Sequence, residues 1–181
     1  MLTRTYDKVP GMTPEQATFL LNEIYLPQIA SEHATTRRLI EALPHDKTDY
    51  KSHERNMSAW ELATHIATSQ IFFLEGIVNG QFAPGAKLPE SITTPAQLLQ
   101  WDEENFGKAL DKVKAMTPEQ LAANVDFFGV VVQPAVTYLG FMASHSIHHR
   151  GQLSVCVRPM GGKVPSIYGP SGDSKPAQAS A

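Results

Sequence analysis

The sequence has a single cysteine and no long apolar run, and each shortage excludes a class of protein. Cys156 alone cannot form an intrachain disulfide or a thiolate zinc cluster of the finger type, and it suits a reducing compartment. The longest apolar stretches, such as residues 127–132, are far shorter than the ~20 residues that span a bilayer. The first ten residues lack the apolar segment of a signal peptide. We therefore expect a cytoplasmic protein without a membrane partner.

Positive charge is also scarce. The 181 residues include 15 Lys and Arg against 18 Asp and Glu, which gives a net charge of −3. Nucleic-acid binding requires clustered basic residues, so nucleic acid is not an expected partner. A chain of this length can bury roughly 70% of its unfolded surface and needs no covalent staples. We expect one domain over residues 1–173 and a disordered tail over residues 174–181.

Helix-start signals are frequent. The pattern Thr-Pro-x-Gln begins at Thr13, Thr94 and Thr117, and Ser58 begins a related Ser-x-x-Glu pattern. In each, the hydroxyl caps free backbone amides and the Gln or Glu completes a capping box. The proline of Thr-Pro-x-Gln occupies the first helical position, where its missing N–H costs nothing. Together with the spacing of apolar residues, these signals predict helices over about residues 14–42, 59–78, 95–115 and 134–157, and a short helical turn from Pro118.

Four long helices and little strand signal predict an all-α protein, packed as a four-helix bundle. Pro27 should bend or split the first helix. Residues 125–132 favour an extended conformation, and the acidic run 102–104 is expected to face solvent. All three connections are about fifteen residues or longer, so the pattern leaves the helix directions open.

Histidine, by contrast, is abundant, with seven residues of which three lie within residues 145–149. His145 and His149 are four positions apart and leave the same face of the fourth helix. With this spacing one helix can supply two imidazole ligands to a metal. A third ligand has to come from another helix, where His65 is the best candidate and His33 the reserve. A structural or surface cluster accounts for the pair about equally well.

The remaining histidines and the cysteine have simpler interpretations. His45 and His53 lie in a polar loop and are expected at the surface, whereas His148 lies on another side of the helix from the pair. Cys156 is two turns beyond His149, too far to join the same site, and is expected to be a small buried hydrophobe.

Side chains that hydrogen-bond to the free ring nitrogen commonly orient imidazole ligands. The candidates are Glu61, one turn before His65, and Gln152, close to His149 on the same face. Tyr138 lies on that face too and could contact a substrate. Each also has an ordinary structural role open to it, as a capping residue or a bundle contact. Arg150 points away from His149, so we expect it to hold the C-terminal segment in place.

Three segments resemble a known family. Residues 145–152 (HSIHHRGQ) and 163–172 (KVPSIYGPSG) resemble the C-terminal signature of the DinB/YfiT-like family, which is distinct from the DNA polymerase that shares the name. Residues 58–66 (SAWELATHI) resemble its second-helix motif, and the likeness covers about residues 10–173. The resemblance implies a four-helix bundle with an up-down-down-up course, commonly as a homodimer. It also implies a divalent metal, nickel or zinc, held by His65, His145 and His149.

The resemblance leaves three functions open. The first is a metal-dependent S-transferase that joins a low-molecular-weight thiol, such as bacillithiol, mycothiol or glutathione, to an electrophilic small molecule in detoxification or stress response. The second is a metal-dependent hydrolase that uses metal-bound hydroxide. The third is a non-catalytic metal-binding or dimerisation module. Peptidase chemistry of the HExxH type is not expected, because Ser146 stands where that motif has its glutamate.

Overall fold

The computed structural model describes residues 11–85 and 87–174, and most of them are helical. The elements are, in chain order, α1 (Pro14–Phe19), a π-helical segment (Leu20–Tyr25), α2 (Leu26–Glu41), α3 (Ala59–Asn79), α4 (Pro95–Lys114), α5 (Pro118–Ala122), β1 (Asn124–Phe127), β2 (Val131–Pro134), a 3₁₀ turn (Ala135–Thr137) and α6 (Tyr138–Val157). Among the residues so described, no helix has the length and apolar character that crossing a membrane requires.

All four predicted capping boxes are confirmed. Thr13, Thr94, Thr117 and Ser58 each accept a hydrogen bond from the backbone N–H of the third helical residue, whose side chain bonds back to the N–H of the cap. At the other end of α3, Gly80 has a φ of 66°, a left-handed conformation that glycine adopts without strain. These local signals explain why the helices begin and end close to their predicted positions.

The first bundle helix consists of α1, the π-helical segment and α2, which follow one another without a break. The α-helical hydrogen bonding of this helix is interrupted close to Pro27, where a bend or split is predicted. Pro27 is at the start of α2, and the turn immediately before it is π-helical. Because proline has no N–H to donate, it cannot continue the α-helical bonding of the preceding turn.

The helix directions follow from the contacts of α6, which packs between α2 and α3. Contacts between the first bundle helix and α6 advance in the same direction along both, so α2 and α6 run parallel. Contacts between α3 and α6 advance in opposite directions, so these run antiparallel. The contacts are Tyr25 with Gly140 and Glu32 with Arg150 in the first case, and His65 with His149 and Phe73 with His145 in the second.

Helix α4 closes the bundle against α2 and α3. Arg37 bonds to the carbonyl of Leu99, and His33 stacks on Phe106, so α4 runs antiparallel to α2. It is therefore parallel to α3. The up-down-down-up course and the four-helix bundle are both confirmed, and the order of packing places α3 and α6 side by side.

A two-stranded hairpin precedes α6. Strands β1 and β2 pair antiparallel, from Asn124 opposite Pro134 to Phe127 opposite Val131, so the prediction of extended backbone in this region is confirmed. The fourth helix was expected to begin at Pro134, but it begins at Tyr138. Pro134 has an extended backbone (ψ 138°) and ends β2, a position at a strand end that proline tolerates.

The C-terminal segment folds back on itself after α6. Asp173 accepts hydrogen bonds from Arg158 and from the backbone N–H of Val164. Ser174, which was assigned to the disordered tail, is hydrogen-bonded to Ser171 and belongs to this turn. The rest of the predicted tail, residues 175–181, and the first ten residues lie outside the described part of the chain.

Candidate metal centre

The structure brings His65, His145 and His149 together between α3 and α6. The Nε2 atoms of His65 and His145 are 3.1 Å apart. The ring of His149 lies 4.6 Å from that of His65 and 4.4 Å from that of His145, centroid to centroid. One ring nitrogen from each residue lies within 4.8 Å of the other two. The three histidines could therefore hold a metal ion.

The spacing of the nitrogens is a test of that fit. Two nitrogen ligands at ~2.0–2.1 Å from a tetrahedral ion are roughly 3.3 Å from each other, and the His65 and His145 nitrogens are close to that separation. All three residues are half-buried, so a bound ion would be partly shielded from water. The donor set is three imidazoles, which suits zinc, nickel, copper and iron.

The protonation of the rings agrees with this role. Burial, together with repulsion by the neighbouring rings of His149, His65 and His148, lowers the pKa of His145 to about 4. Burial also lowers the pKa of His65, with a smaller contribution from His149. Both rings are neutral at pH 7, which is the form in which imidazole binds a metal.

Two side chains orient the rings. The Oε1 atom of Gln152 is 2.8 Å from Nδ1 of His149, and because an amide oxygen only accepts, Nδ1 donates and the lone pair is on Nε2. Ser69 lies one turn beyond His65 on α3, and its hydroxyl is 3.4 Å from the Nδ1 of that histidine. Nδ1 of His145 is buried without a hydrogen-bond partner among the described residues. Gln152 was a predicted candidate for this role, whereas Ser69 was not.

Glu61 and Tyr138, the other two predicted supporting residues, do not reach the histidines. The Glu61 carboxylate bonds to the backbone N–H of Ser58 and pairs with Lys51, because it completes the capping box of α3. The Tyr138 hydroxyl donates to the carbonyls of Val125 and Val131 and fastens the hairpin to the start of α6. Glu61 therefore caps α3 and Tyr138 holds the hairpin, and neither orients a ring of the three histidines.

His33, the reserve ligand, belongs to a different cluster. Its Nε2 is 2.7 Å from the Asp102 carboxylate, which also accepts a hydrogen bond from Arg37, and its ring stacks on Phe106. Asp102 was expected to face solvent but is only 2% exposed. It is buried because α4 turns this residue towards α2, where a histidine and an arginine satisfy it.

The other sequence expectations concern single residues. His45 and His53 are exposed, as predicted, and His148 is exposed as well. Cys156 is buried in the core of the bundle. Burial raises the pKa of its thiol, so it is an inert core residue. Arg150 is 1% exposed and donates to Tyr168 in the C-terminal segment, so its predicted anchoring role is confirmed.

A cleft of about 270 Å³ opens beside His149, which lines it together with Gln152. Four residues of the loop before α3, Ser52, Arg55, Asn56 and Met57, also line it. The volume is near the lower limit of ~300–1,000 Å³ for small-molecule pockets. The site therefore has an approach from solvent that a small ligand could enter.

Comparison with known proteins settles the family. The family model described as DinB family matches residues 15–177. The chain belongs to the DinB family. It is 34% identical to the Bacillus subtilis protein YjoA over 134 residues, a match that covers 72% of this chain and 85% of YjoA. It is 28% identical to YrdA of the same organism over 145 residues, which covers 77% of this chain and 83% of YrdA.

Solved structures of DinB-like proteins share the fold. The crystal structure of YjoA from Bacillus subtilis matches with a TM-score of 0.66 at 30% identity, over 82% of this chain and all of that one. A DinB-like protein from Bacillus cereus matches with a TM-score of 0.67 at 24% identity, over 81% of this chain and 97% of that one. The up-down-down-up bundle described above is thus the fold of a DinB-family protein.

Proposed function

We propose that this DinB-family protein is a metal-dependent enzyme that joins a small thiol to an electrophilic small molecule. The observation that carries the proposal is the convergence of three imidazoles beside an accessible cleft. Zinc or nickel is the expected ion. Catalytic sites of this kind leave a coordination position free, whereas purely structural zinc sites are closed by four protein ligands.

The chemistry of the donor set favours ionisation of a thiol. A divalent metal held by three neutral imidazoles keeps its full charge and would lower the pKa of a thiol or water that reaches it. In the transfer, the sulfur forms a bond to an electrophilic carbon of the second substrate. The bond from that carbon to the leaving group breaks, the leaving group takes the electron pair, and the thiol proton passes to solvent.

The chain's own residues prepare the site for this reaction. Gln152 fixes His149 with its Nε2 lone pair free, and Ser69 holds the ring of His65. The ring of Phe73 lies 5.9 Å from that of His145 and covers it from the side of the core. Within residues 11–85 and 87–174, no carboxylate belongs to the cluster of the three histidines, so deprotonation of the nucleophile depends on the ion and not on a protein base.

Metal analysis of untagged protein tests the first half of the proposal. We expect about one divalent ion per chain, and we expect this ion to be lost in His65→Ala, His145→Ala and His149→Ala. His148→Ala is the matched control, since His148 is a neighbour on the same helix that faces solvent. Equal loss in the His148 variant, or metal retained in the other three, contradicts the assignment.

A thiol-dependence assay tests the second half. The rate of consumption of an electrophile such as an alkyl halide should rise with thiol concentration in the metal-loaded protein and fall to background in His145→Ala. Ester and amide hydrolysis at a rate independent of thiol would favour the hydrolase instead. A metal-loaded protein without either activity would leave the non-catalytic module as the better description.

A further inference from the structure

The cleft beside His149 is lined by both polar and apolar residues. Ser52, Arg55 and Asn56 are polar. Met57, Leu62 and Val155 are apolar, and Val155 is 61% exposed. A ligand that matches this cleft has a short apolar body and a polar or charged group.

The charge of that group follows from Arg55. Within residues 11–85 and 87–174, Arg37, Arg150 and Arg158 each form an ion pair with a carboxylate, whereas Arg38 and Arg55 have no acidic group within 4.0 Å, and of these two Arg55 lines the cleft. A guanidinium presents its donors in a planar fork that matches the two oxygens of a carboxylate. Arg55 is thus the cationic group of the cleft, and a carboxylate is its complement.

The loop that carries Arg55 is held by its own hydrogen bonds. The backbone N–H of Arg55 donates to Nδ1 of His53, and the N–H of Asn56 donates to the carbonyl of the same histidine. The side-chain amide of Asn56 donates to the Ser52 hydroxyl. Beyond the loop, the N–H of Ala59 bonds back to Tyr50. Because the backbone is already ordered, binding a ligand there requires little further ordering of the loop.

We propose that Arg55 binds the carboxylate of the small thiol whose sulfur is directed towards His149. The thiol's methylene chain lies against Met57, Leu62 and Val155, and its carboxylate bonds to the Arg55 guanidinium. The inference rests on the proposed function, since it assigns the substrate class of the same site. It makes Arg55 a specificity-determining residue with no part in the bond-forming step.

The test is a matched series of thiols. Mercaptoalkanoates of three to six carbons and the corresponding mercaptoalkanols are titrated by calorimetry into the zinc-loaded protein. We expect the best acid to bind about tenfold more tightly than its alcohol, a preference that shrinks as salt is added. In Arg55→Met the preference should fall to within about twofold. Lys108→Met, which removes an exposed cation on α4, should keep it. Equal binding of acid and alcohol to the wild-type protein, or an unchanged preference in Arg55→Met, overturns the inference.

A second measurement separates this inference from the proposed function. Pentanoate, which has no thiol, is added to the metal-free protein, and the Nε–Hε signal of Arg55 is followed by ¹⁵N NMR. A saturable shift of that signal, absent with pentanol, supports a carboxylate site even if the protein takes up no zinc. If zinc binds but pentanoate leaves the signal unmoved and the acids show no preference, the inference fails while the metal site stands.

Discussion

Arg150→Met should be among the most destabilising single substitutions in this protein. The guanidinium of Arg150 is 1% exposed and donates to the carboxylate and the main-chain carbonyl of Glu32, to the Thr36 hydroxyl and to the Tyr168 hydroxyl. Methionine fills much of the same volume but donates nothing. The substitution therefore leaves the Glu32 carboxylate, which is only 14% exposed, without its cation.

Removing one partner of a buried ion pair costs about 3–5 kcal/mol. Here the Tyr168 hydroxyl still donates to the Glu32 carboxylate, so we expect the lower end, about 3 kcal/mol. For a chain of this size that loss corresponds to a decrease in Tm of roughly 6–12 °C. The double variant Arg150→Met with Glu32→Leu should recover at least half of the loss, because no unpaired charge remains buried.

Urea denaturation followed by circular dichroism measures these differences. Arg158→Met is the matched control. Arg158 also forms an ion pair, in its case with Asp173 of the C-terminal segment, but its side chain is 55% exposed. We expect a loss below about 1 kcal/mol for this exposed pair. A loss in Arg150→Met no larger than in Arg158→Met would refute the reasoning, as would a double variant less stable than Arg150→Met.

Three further predictions concern the packing of single residues. Gly162→Ala should lower the free energy of unfolding by about 1–3 kcal/mol, because the new methyl would lie 2.8 Å from the carbonyl oxygen of Ala42. Gly151→Ala should raise it by about 0.5–1 kcal/mol, since Gly151 is in α6 with open space around it. Burial raises the pKa of Tyr138 to about 12, so the native state keeps a proton that the unfolded state loses near pH 10. Its stabilising effect is complete below pH 10 and declines towards pH 12, and the stability difference between wild type and Tyr138→Phe should narrow over that range.

Denaturation curves check all three, the last at several alkaline pH values. A Gly162→Ala protein as stable as wild type would mean that the C-terminal segment shifts to make room for the methyl. A destabilised Gly151→Ala protein would contradict the open surroundings of that residue. A stability difference for Tyr138→Phe that stays constant with pH would show that the hydroxyl does not titrate differently in the two states.

The helix boundaries were predictable because they depend on neighbouring residues. The capping residues Thr13, Ser58, Thr94 and Thr117 and the terminating Gly80 all act on backbone groups within a few positions of themselves. The start of the last helix was not predicted correctly. Pro134 is compatible with the first turn of a helix and with the end of a strand, and pairing with a strand ten residues earlier decides between them.

The histidines were predictable as a group, but their surroundings were not. Position on a helix face is enough to bring His145 and His149 together and to make His65 the best third candidate, and the family resemblance implies the same three residues. The supporting residues depend on how two helices rotate against each other. Glu61 bonds to the backbone of Ser58 in the capping box and so is not available to His65. Ser69 lies one turn after His65 on the same face of α3, and that spacing alone could have identified it.

The two helices that supply the donor nitrogens are distant in the sequence. His65 and His145 are separated by 80 positions, and His145 belongs to the last helix of the bundle. Since a ribosome makes the chain from its N-terminus, His65 emerges long before its partners, and the three nitrogens cannot meet until α6 has been made. An ion bound to all three histidines would link α3 to α6, two helices far apart in the sequence, so it should slow unfolding more than it speeds folding. If the site takes up a metal, binding by all three histidines follows the synthesis of α6.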